Sequence, residues 1–227
     1  YDDKLIAERY APDITKETKL LGWSMTKSVT ATLLGVLVGQ NHLDVHAKAP
    51  IAAWQGEGDP RSEITIDQLM RMSSGLAFEE VYGPMSDATT MLYQVPDAAA
   101  MAIDKPLVGP PDSVWSYSSG TTNILAKIIR DTVEANYGEH ANWGFPRTHL
   151  FDVIGMTHTL CEPDPSGTLI GSSSCYASGR DWARVGLLHL HDGVWKGERV
   201  LPKGWVDYVR TPTAGSPEAN YGAQWWT

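Results

Sequence analysis

Apolar residues recur at helical spacing in three long stretches of the chain. The first starts at Ser24 and ends near Gly39, and its apolar positions are Val29, Leu33, Leu34, Val36, Leu37 and Val38. The second runs from about residue 121 to residue 136, and the third follows Ser178 and ends by Gly193. Because side chains three or four positions apart share one face of a helix, the pattern predicts three amphipathic helices.

The segments between these stretches carry the signals of shorter helices. Residues 65–68, Thr-Ile-Asp-Gln, fit a capping box, in which two side chains satisfy the free N–H groups of a helix start. Residues 86–103 are predicted to form two helical pieces divided at Pro96, and Pro202 suits the first turn of another short helix. The middle of the chain is therefore expected to be mainly helical.

Strand signals are expected near both ends of the chain. Residues 4–10 and 221–227 have the length and apolar content of short strands. This order predicts an α+β protein whose sheet strands come from the two ends of the chain. We expect an N-terminal strand region over 1–20, a mainly helical region with a cleft over 21–215, and the start of a C-terminal sheet over 216–227.

The charge balance narrows the class of protein. Among 227 residues, 18 Lys and Arg stand against 27 Asp and Glu, which gives a net charge of −9. Such an acidic chain is poorly suited to binding nucleic acid or an anionic membrane. The longest apolar stretch, residues 31–39, is far shorter than the ~20 residues that span a bilayer. The composition predicts a soluble globular protein without a transmembrane segment.

The two cysteines leave two alternatives open. Cys161 and Cys175 are fourteen positions apart and are too few for a disulfide framework. They could form one bond in an oxidising compartment or remain thiols in a reducing one, and buried thiols are the favoured interpretation. The chain begins at Tyr1 with neither an initiator Met nor a visible signal peptide and stops within a predicted strand, so both ends are expected to be cut.

The strongest chemical signal is Ser24-Met25-Thr26-Lys27 at the start of the first long helix. Residues three apart share a helix face, so Lys27 is expected within reach of the Ser24 hydroxyl. The helix N-terminus and burial both disfavour a protonated lysine, which would let Lys27 accept a proton. The same four residues also occur by chance, with the serine as a helix cap and the lysine in solvent.

A second signal lies before the second long helix. Tyr117 and Ser119 are two positions apart, so an extended segment directs both side chains to one side. A tyrosine hydroxyl beside a lysine can relay protons to and from a serine nucleophile. The alternative is that Tyr117 packs under the helix and Ser119 caps it, and a cap could still line the cleft.

Together these motifs resemble the penicillin-recognising serine hydrolases. The likeness is closest to the branch around class C β-lactamases, D-Ala-D-Ala peptidases, family VIII esterases and 6-aminohexanoate-oligomer hydrolases. Ser-x-x-Lys is a known part of the β-lactamase signature. The matching segments cover most of the chain in the same order: Gly22-Trp23, Ser24 to Lys27, Met72 to Leu76, Tyr117 to Ser119, Ser178 to Arg184, Asp192-Gly193 and Trp195 to Gly197.

The resemblance implies a role for each matching residue. Ser24 would be the acylated nucleophile, Lys27 its proton partner, and Tyr117 the general base and acid shared with Lys27. Ser119, which would bind substrate, stands where the family usually has Asn. The backbone N–H of Ser24 would supply half of an oxyanion hole. A third motif, Lys/His-Thr/Ser-Gly on a strand, is absent here and is expected after Trp226.

The resemblance also implies a fold and a function. The fold would be β-lactamase-like, with a large helical region inserted between the strands of an antiparallel sheet that is incomplete in this chain. The function would be a serine hydrolase acting through an acyl-enzyme on a small ester or amide, in preference to an efficient β-lactamase. No cofactor is expected. The family slightly favours a periplasmic or secreted location.

Two other interpretations of the sequence remain open. A non-catalytic binding protein with the same fold is favoured by Ser119 in the Asn position and by the missing third motif. A metal site could use the pairs His42 with His46 or His189 with His191, but neither has a third ligand at a recognisable spacing. These histidines are expected to be surface or packing residues, and no metal is expected.

Overall fold

The computed structural model of the chain describes residues 2–227. Within that range the α-helices are α1 Met25–Gly39, α2 Ile66–Met70, α3 Asp87–Tyr93, α4 Ala98–Ile103, α5 Ser119–Tyr137, α6 Asp152–Ile154, α7 Gly179–Leu190 and α8 Trp205–Arg210. The strands are β1 Leu20–Leu21, β2 Thr159–Cys161, β3 Cys175–Ala177, β4 Val194–Trp195 and β5 Glu198–Arg199. Short 3₁₀ turns lie at Ala52–Trp54, Pro60–Glu63, Ala141–Trp143 and Pro217–Ala219, and a π-helical turn at Arg147–Phe151 leads into α6.

The core is built around α1 and α5, which pack against each other. α2 and α4 contact α5 as well, so α5 lies at the centre of the helical layer. The apolar positions predicted for both helices are buried, among them Leu33, Leu34, Ile124, Leu125 and Ile128. Burial of such side chains contributes about 1.5–3 kcal/mol each and holds the two helix N-termini in fixed positions.

Most of the predicted helices are confirmed. The capping box is present, because Thr65 accepts from the Gln68 N–H and the Gln68 side chain accepts from the Thr65 N–H. Residues 86–103 form α3 and α4 on either side of Pro96. Ser178 caps α7 by accepting from the Asp181 N–H. No helix within residues 2–227 has the length and apolar content needed to cross a membrane.

The sheet differs from the expectation. Its three antiparallel strands are ordered β1-β3-β2 and come from the interior of the chain. Residues 4–10 form no strand, and of residues 221–227 only Tyr221 and Trp226 pair, as an isolated bridge. The prediction of strands at these two segments was wrong, because a strand needs a partner for its backbone N–H and C=O groups and neither segment has a partner strand within residues 2–227. The division into three regions stays a prediction.

The two cysteines form a disulfide, so the favoured interpretation of buried thiols was wrong. Cys161 and Cys175 are directly opposed on β2 and β3, with their Cα atoms 4.0 Å apart. Antiparallel pairing, which the spacing alone did not reveal, brings the two side chains together. The bond closes the loop of residues 162–174, and this loop reaches the site described below.

Candidate functional site

Ser24 lies at the start of α1, where a sharp turn presents its side chain. The preceding Trp23 adopts φ +44°, a left-handed conformation that is strained for a bulky residue. Gly22 before it lies against the Trp182 ring, where a Cβ would come within 2.2 Å of a ring atom. Within residues 2–227 the Ser24 N–H donates no hydrogen bond. The turn thus leaves both the hydroxyl and the N–H of Ser24 available to a ligand.

Lys27 is buried beneath Ser24 and is held by three oxygen atoms. Lys27 lies one turn into α1, and only 2% of its surface is exposed to solvent. Its Nζ lies 3.3 Å from Ser24 Oγ, 2.9 Å from Ser119 Oγ and 3.1 Å from the Ser172 carbonyl oxygen. The alternative of a solvated lysine is therefore wrong, because α5 and the loop 162–174 cover the side chain.

Tyr117 covers the other side of Lys27. The Lys27 ammonium group lies 4.9 Å from the centre of the Tyr117 ring, within the range of a cation–π contact. Trp226 stacks on the same ring at 5.7 Å, and Tyr221 meets it edge-on at 5.7 Å. These aromatic contacts fix the orientation of the Tyr117 side chain beside the Ser24–Lys27 pair.

Ser119 is the first residue of α5, and Ser118 is its cap. The Ser118 hydroxyl accepts from the Thr121 N–H, so the alternative in which Ser119 caps this helix was wrong. The side chain of Ser119 is consequently free to contact other groups. It accepts from Lys27 and donates to Glu80, whose Oε1 lies 2.6 Å from Ser119 Oγ.

Glu80 is a site residue that the sequence did not reveal. Its Oε2 accepts from the Ser119 N–H at 2.7 Å, and its Oε1 also accepts from the Tyr82 hydroxyl at 2.7 Å. Glu80 lies in the irregular segment 77–86, which has no periodic pattern to place it. A carboxylate facing α5 here could only be found from the folded chain.

The site lowers the pKa of Lys27 and raises the pKa of Tyr117. Burial lowers the pKa of Lys27 from 10.5 to about 8, and the nearby Glu80 charge partly opposes this shift. Burial raises the pKa of Tyr117, while its interaction with the Ser24 side chain works in the other direction. At neutral pH the site therefore combines an amine near its titration point with a neutral phenol.

The four residues predicted from the motifs thus converge on one point. Ser24, Lys27, Tyr117 and Ser119 form a nucleophile, a buried amine, a phenol and a second hydroxyl in contact. Within the described part of the chain, no three His, Cys, Asp or Glu side chains are grouped as metal ligands would be. A serine hydroxyl beside a buried lysine is an arrangement suited to nucleophilic attack on a carbonyl carbon.

The fold is that of one protein family. The Beta-lactamase family matches residues 1–227, and the chain belongs to it. The β-lactamase-like α+β fold expected from the motifs is confirmed, as is the relationship to hydrolases of this superfamily.

Three relatives show how far the similarity extends. A 6-aminohexanoate-dimer hydrolase of Paenarthrobacter ureafaciens is 24% identical over 252 residues, which cover 98% of this chain and 61% of the relative. A Bacillus anthracis structure provisionally named as a 6-aminohexanoate-dimer hydrolase has a TM-score of 0.77 and 24% identity, over 97% of this chain and 61% of that one. A family VIII carboxylesterase has a TM-score of 0.66 and 16% identity, over 87% and 62%. The chain thus spans about three fifths of the length of these relatives.

Proposed function

We propose that this protein is a serine hydrolase that cleaves a small ester or amide through an acyl-enzyme on Ser24. The observation that carries the proposal is the position of Lys27. Its buried Nζ contacts Ser24 Oγ and has two further oxygen partners, Ser119 and Ser172, that hold it there. A buried amine with a pKa near 8 can take the proton of the serine hydroxyl as that oxygen attacks.

The reaction then has two halves. Ser24 Oγ bonds to the carbonyl carbon of the substrate, and its proton moves to neutral Lys27. The Ser24 N–H donates to the oxyanion that forms. When the carbon–oxygen or carbon–nitrogen bond breaks, the neutral Tyr117 phenol gives its proton to the leaving alcohol or amine and recovers one from Lys27. Water releases the acyl group by the same steps in reverse.

Tyr117 thus donates a proton in the first half of the reaction, the acylation of Ser24. The resemblance implied a general base and acid shared with Lys27, and a phenol with a raised pKa is protonated at neutral pH, so it can donate a proton but cannot accept one. Lys27 is the better acceptor, because burial has lowered its pKa. Both residues remain in one proton relay around Ser24.

The surroundings of Ser24 favour a substrate with an apolar part. Trp226, which stacks on Tyr117, is 56% exposed, and Trp23, which precedes Ser24 in the chain, is 51% exposed. Aromatic faces of this kind bind apolar groups and exclude water from the scissile bond. The names of the relatives, a hydrolase of a 6-aminohexanoate dimer and a carboxylesterase, support an amide or an ester as the scissile group.

Turnover of p-nitrophenyl acyl esters and of the matching anilides tests the proposal. We expect Ser24→Ala and Lys27→Ala each to lower kcat/KM by at least about a hundredfold, because each removes a group that acts in the transition state. Ser62→Ala is the control: it removes a serine hydroxyl whose hydrogen bond is to the Asp59 carbonyl oxygen, beside the turn Pro60–Glu63.

The control should keep most of the activity. A wild-type protein that turns over neither substrate class, or a Ser24→Ala variant as active as the wild type, would favour the alternative of a non-catalytic binding protein.

A further inference from the structure

Glu80 faces the buried site, and two of its three hydrogen bonds come from Ser119. Ser119 approaches it twice, through its backbone N–H to Oε2 and through its hydroxyl to Oε1. Tyr82 adds a third donor from the same segment of the chain. A carboxylate that accepts three hydrogen bonds is held in one orientation.

These contacts determine which groups around Lys27 donate a hydrogen bond and which accept one. Ser119 has one hydroxyl proton, and it is donated to Glu80, so the Ser119 oxygen can only accept from Lys27. The Ser172 carbonyl oxygen can also only accept. Two of the three oxygens around Lys27 therefore require an N–H donor, whatever the protonation state of the amine.

The third oxygen is that of Ser24. When Lys27 is neutral it has two N–H bonds and one lone pair, and the two N–H bonds are used by Ser119 and Ser172. The lone pair is then left facing Ser24 Oγ at 3.3 Å. This is the direction needed for the amine to receive the serine proton.

We infer that Glu80 is a positioning residue that, through Ser119, directs the lone pair of neutral Lys27 towards Ser24. The inference rests on the proposed function and adds a residue to it. Glu80 touches neither Ser24 nor the reacting carbon, and its effect passes through the Ser119 hydroxyl.

Replacing the carboxylate by an amide would reverse the arrangement. A Gln at position 80 can accept from the Ser119 N–H with its oxygen, and its NH₂ group then donates to Ser119 Oγ. The Ser119 proton becomes free to point at Lys27 and to occupy the lone pair. Ser119 would then compete with Ser24 for the lone pair of the amine.

The same substitution changes the charge near Lys27. The titratable groups around the amine are Glu80 and Tyr82 from the segment 77–86, Tyr117 before α5, and Tyr221 from the C-terminal segment. Of these, the Glu80 charge favours the protonated form of Lys27. Removing that charge lowers the pKa of Lys27, which by itself would make more neutral base at pH 7.

At pH 7 the loss of the Glu80 charge by itself predicts a faster reaction, whereas the loss of the Lys27 orientation predicts a slower one. These opposite effects on rate make the inference testable. The pH dependence of p-nitrophenyl ester kcat/KM is measured for wild type and Glu80→Gln, and the pKa of Lys27 is measured by NMR titration of protein labelled at lysine ¹³Cε. Glu79→Gln is the matched control, because it removes the same charge from the neighbouring exposed position.

For Glu80→Gln we expect a lower Lys27 pKa together with a high-pH plateau of kcat/KM at least about tenfold below wild type. Glu79→Gln should change neither. A Glu80→Gln plateau within twofold of wild type, or a fall in rate with no change in the Lys27 pKa, would overturn the inference. If wild type shows no turnover, the proposed function fails. The NMR titration alone then tests the coupling of Glu80 to Lys27: a lower pKa in Glu80→Gln and not in Glu79→Gln supports it, and an unchanged pKa overturns it.

Discussion

At the scale of single residues, the site depends on a lysine placed where a charge is costly. Lys27 is almost fully buried, and its contacts to Ser24, Ser119 and Ser172 are all to neutral groups. Desolvation of an ammonium group in such a place lowers its pKa. The same property that prepares the amine to accept a proton also reduces the stability of the folded protein while the amine is charged.

Because of this desolvation penalty, the free energy of unfolding depends on pH. Below pH 8 Lys27 is protonated in both the folded and the unfolded states, and the folded state carries the full penalty. Between pH 8 and 10.5 the folded state has lost the proton and the unfolded state retains it, so stability rises with pH.

We expect the free energy of unfolding of wild type to rise by about 3 kcal/mol over this range relative to Lys27→Met, which cannot titrate. Urea unfolding of both proteins at several pH values measures the difference. Parallel curves for the two proteins would show that Lys27 has an ordinary pKa.

At the scale of elements, the site is assembled from segments that are far apart in sequence. The N-terminus of α1 brings Ser24 and Lys27, the N-terminus of α5 brings Ser119, and the loop 162–174 brings the Ser172 carbonyl group. Lys27 bonds to residues 92 and 145 positions further along the chain. The site therefore exists only when α1, α5 and this loop are packed together.

This separation explains what the sequence could predict. α1 and α5 have periodic apolar faces, and the Ser-x-x-Lys spacing places both side chains on one helix face, so both helices and the Ser24–Lys27 pair were predictable. Glu80 and the Ser172 carbonyl group lie in irregular segments, and their roles come from tertiary contacts that no local pattern encodes. The disulfide was likewise hidden, because its strands are only three residues long.

The disulfide gives a prediction at this scale. Cys161 and Cys175 close a loop of about fourteen residues, for which the chain-entropy argument gives about 3 kcal/mol of stabilisation. Since the loop also supplies the Ser172 carbonyl group to Lys27, the double substitution of both cysteines by Ser should lower esterase activity as well as stability.

Thermal unfolding and ester hydrolysis, each with and without dithiothreitol, measure these effects. The reductant should lower both quantities in wild type and leave the double variant unchanged. Equal stability of the oxidised and reduced wild type would contradict this account of the loop.

At the scale of the whole molecule, one glutamine links the C-terminal segment to three helices. The Gln224 amide donates to the Met70 carbonyl oxygen at 2.9 Å and accepts from the Thr122 hydroxyl at 2.8 Å. Its own carbonyl oxygen accepts from Ser28 on α1. Gln224 thereby joins α1, α2 and α5 to the segment whose Trp226 stacks on Tyr117.

We expect Gln224→Ala to destabilise the protein by about 1–2 kcal/mol, because the Thr122 hydroxyl loses its shorter hydrogen bond and the Met70 carbonyl oxygen keeps only the backbone N–H of residue 224. Chemical denaturation measures the loss. The variant should also acylate more slowly, since Tyr117 loses its fixed aromatic neighbours. The exposed Gln55, replaced by Ala, is the control and should change the free energy of unfolding by less than about 0.5 kcal/mol.

The central claim is that Ser24 is a nucleophile activated by its place in the fold. Treatment of the folded protein with a fluorophosphonate, followed by peptide mapping by mass spectrometry, tests it most directly. We predict one phosphonyl adduct, on Ser24, which is lost in Ser24→Ala, slowed in Lys27→Ala and retained in Ser62→Ala. Folded wild-type protein that acquires no adduct, or an adduct on a different serine that persists in Ser24→Ala, would contradict the account.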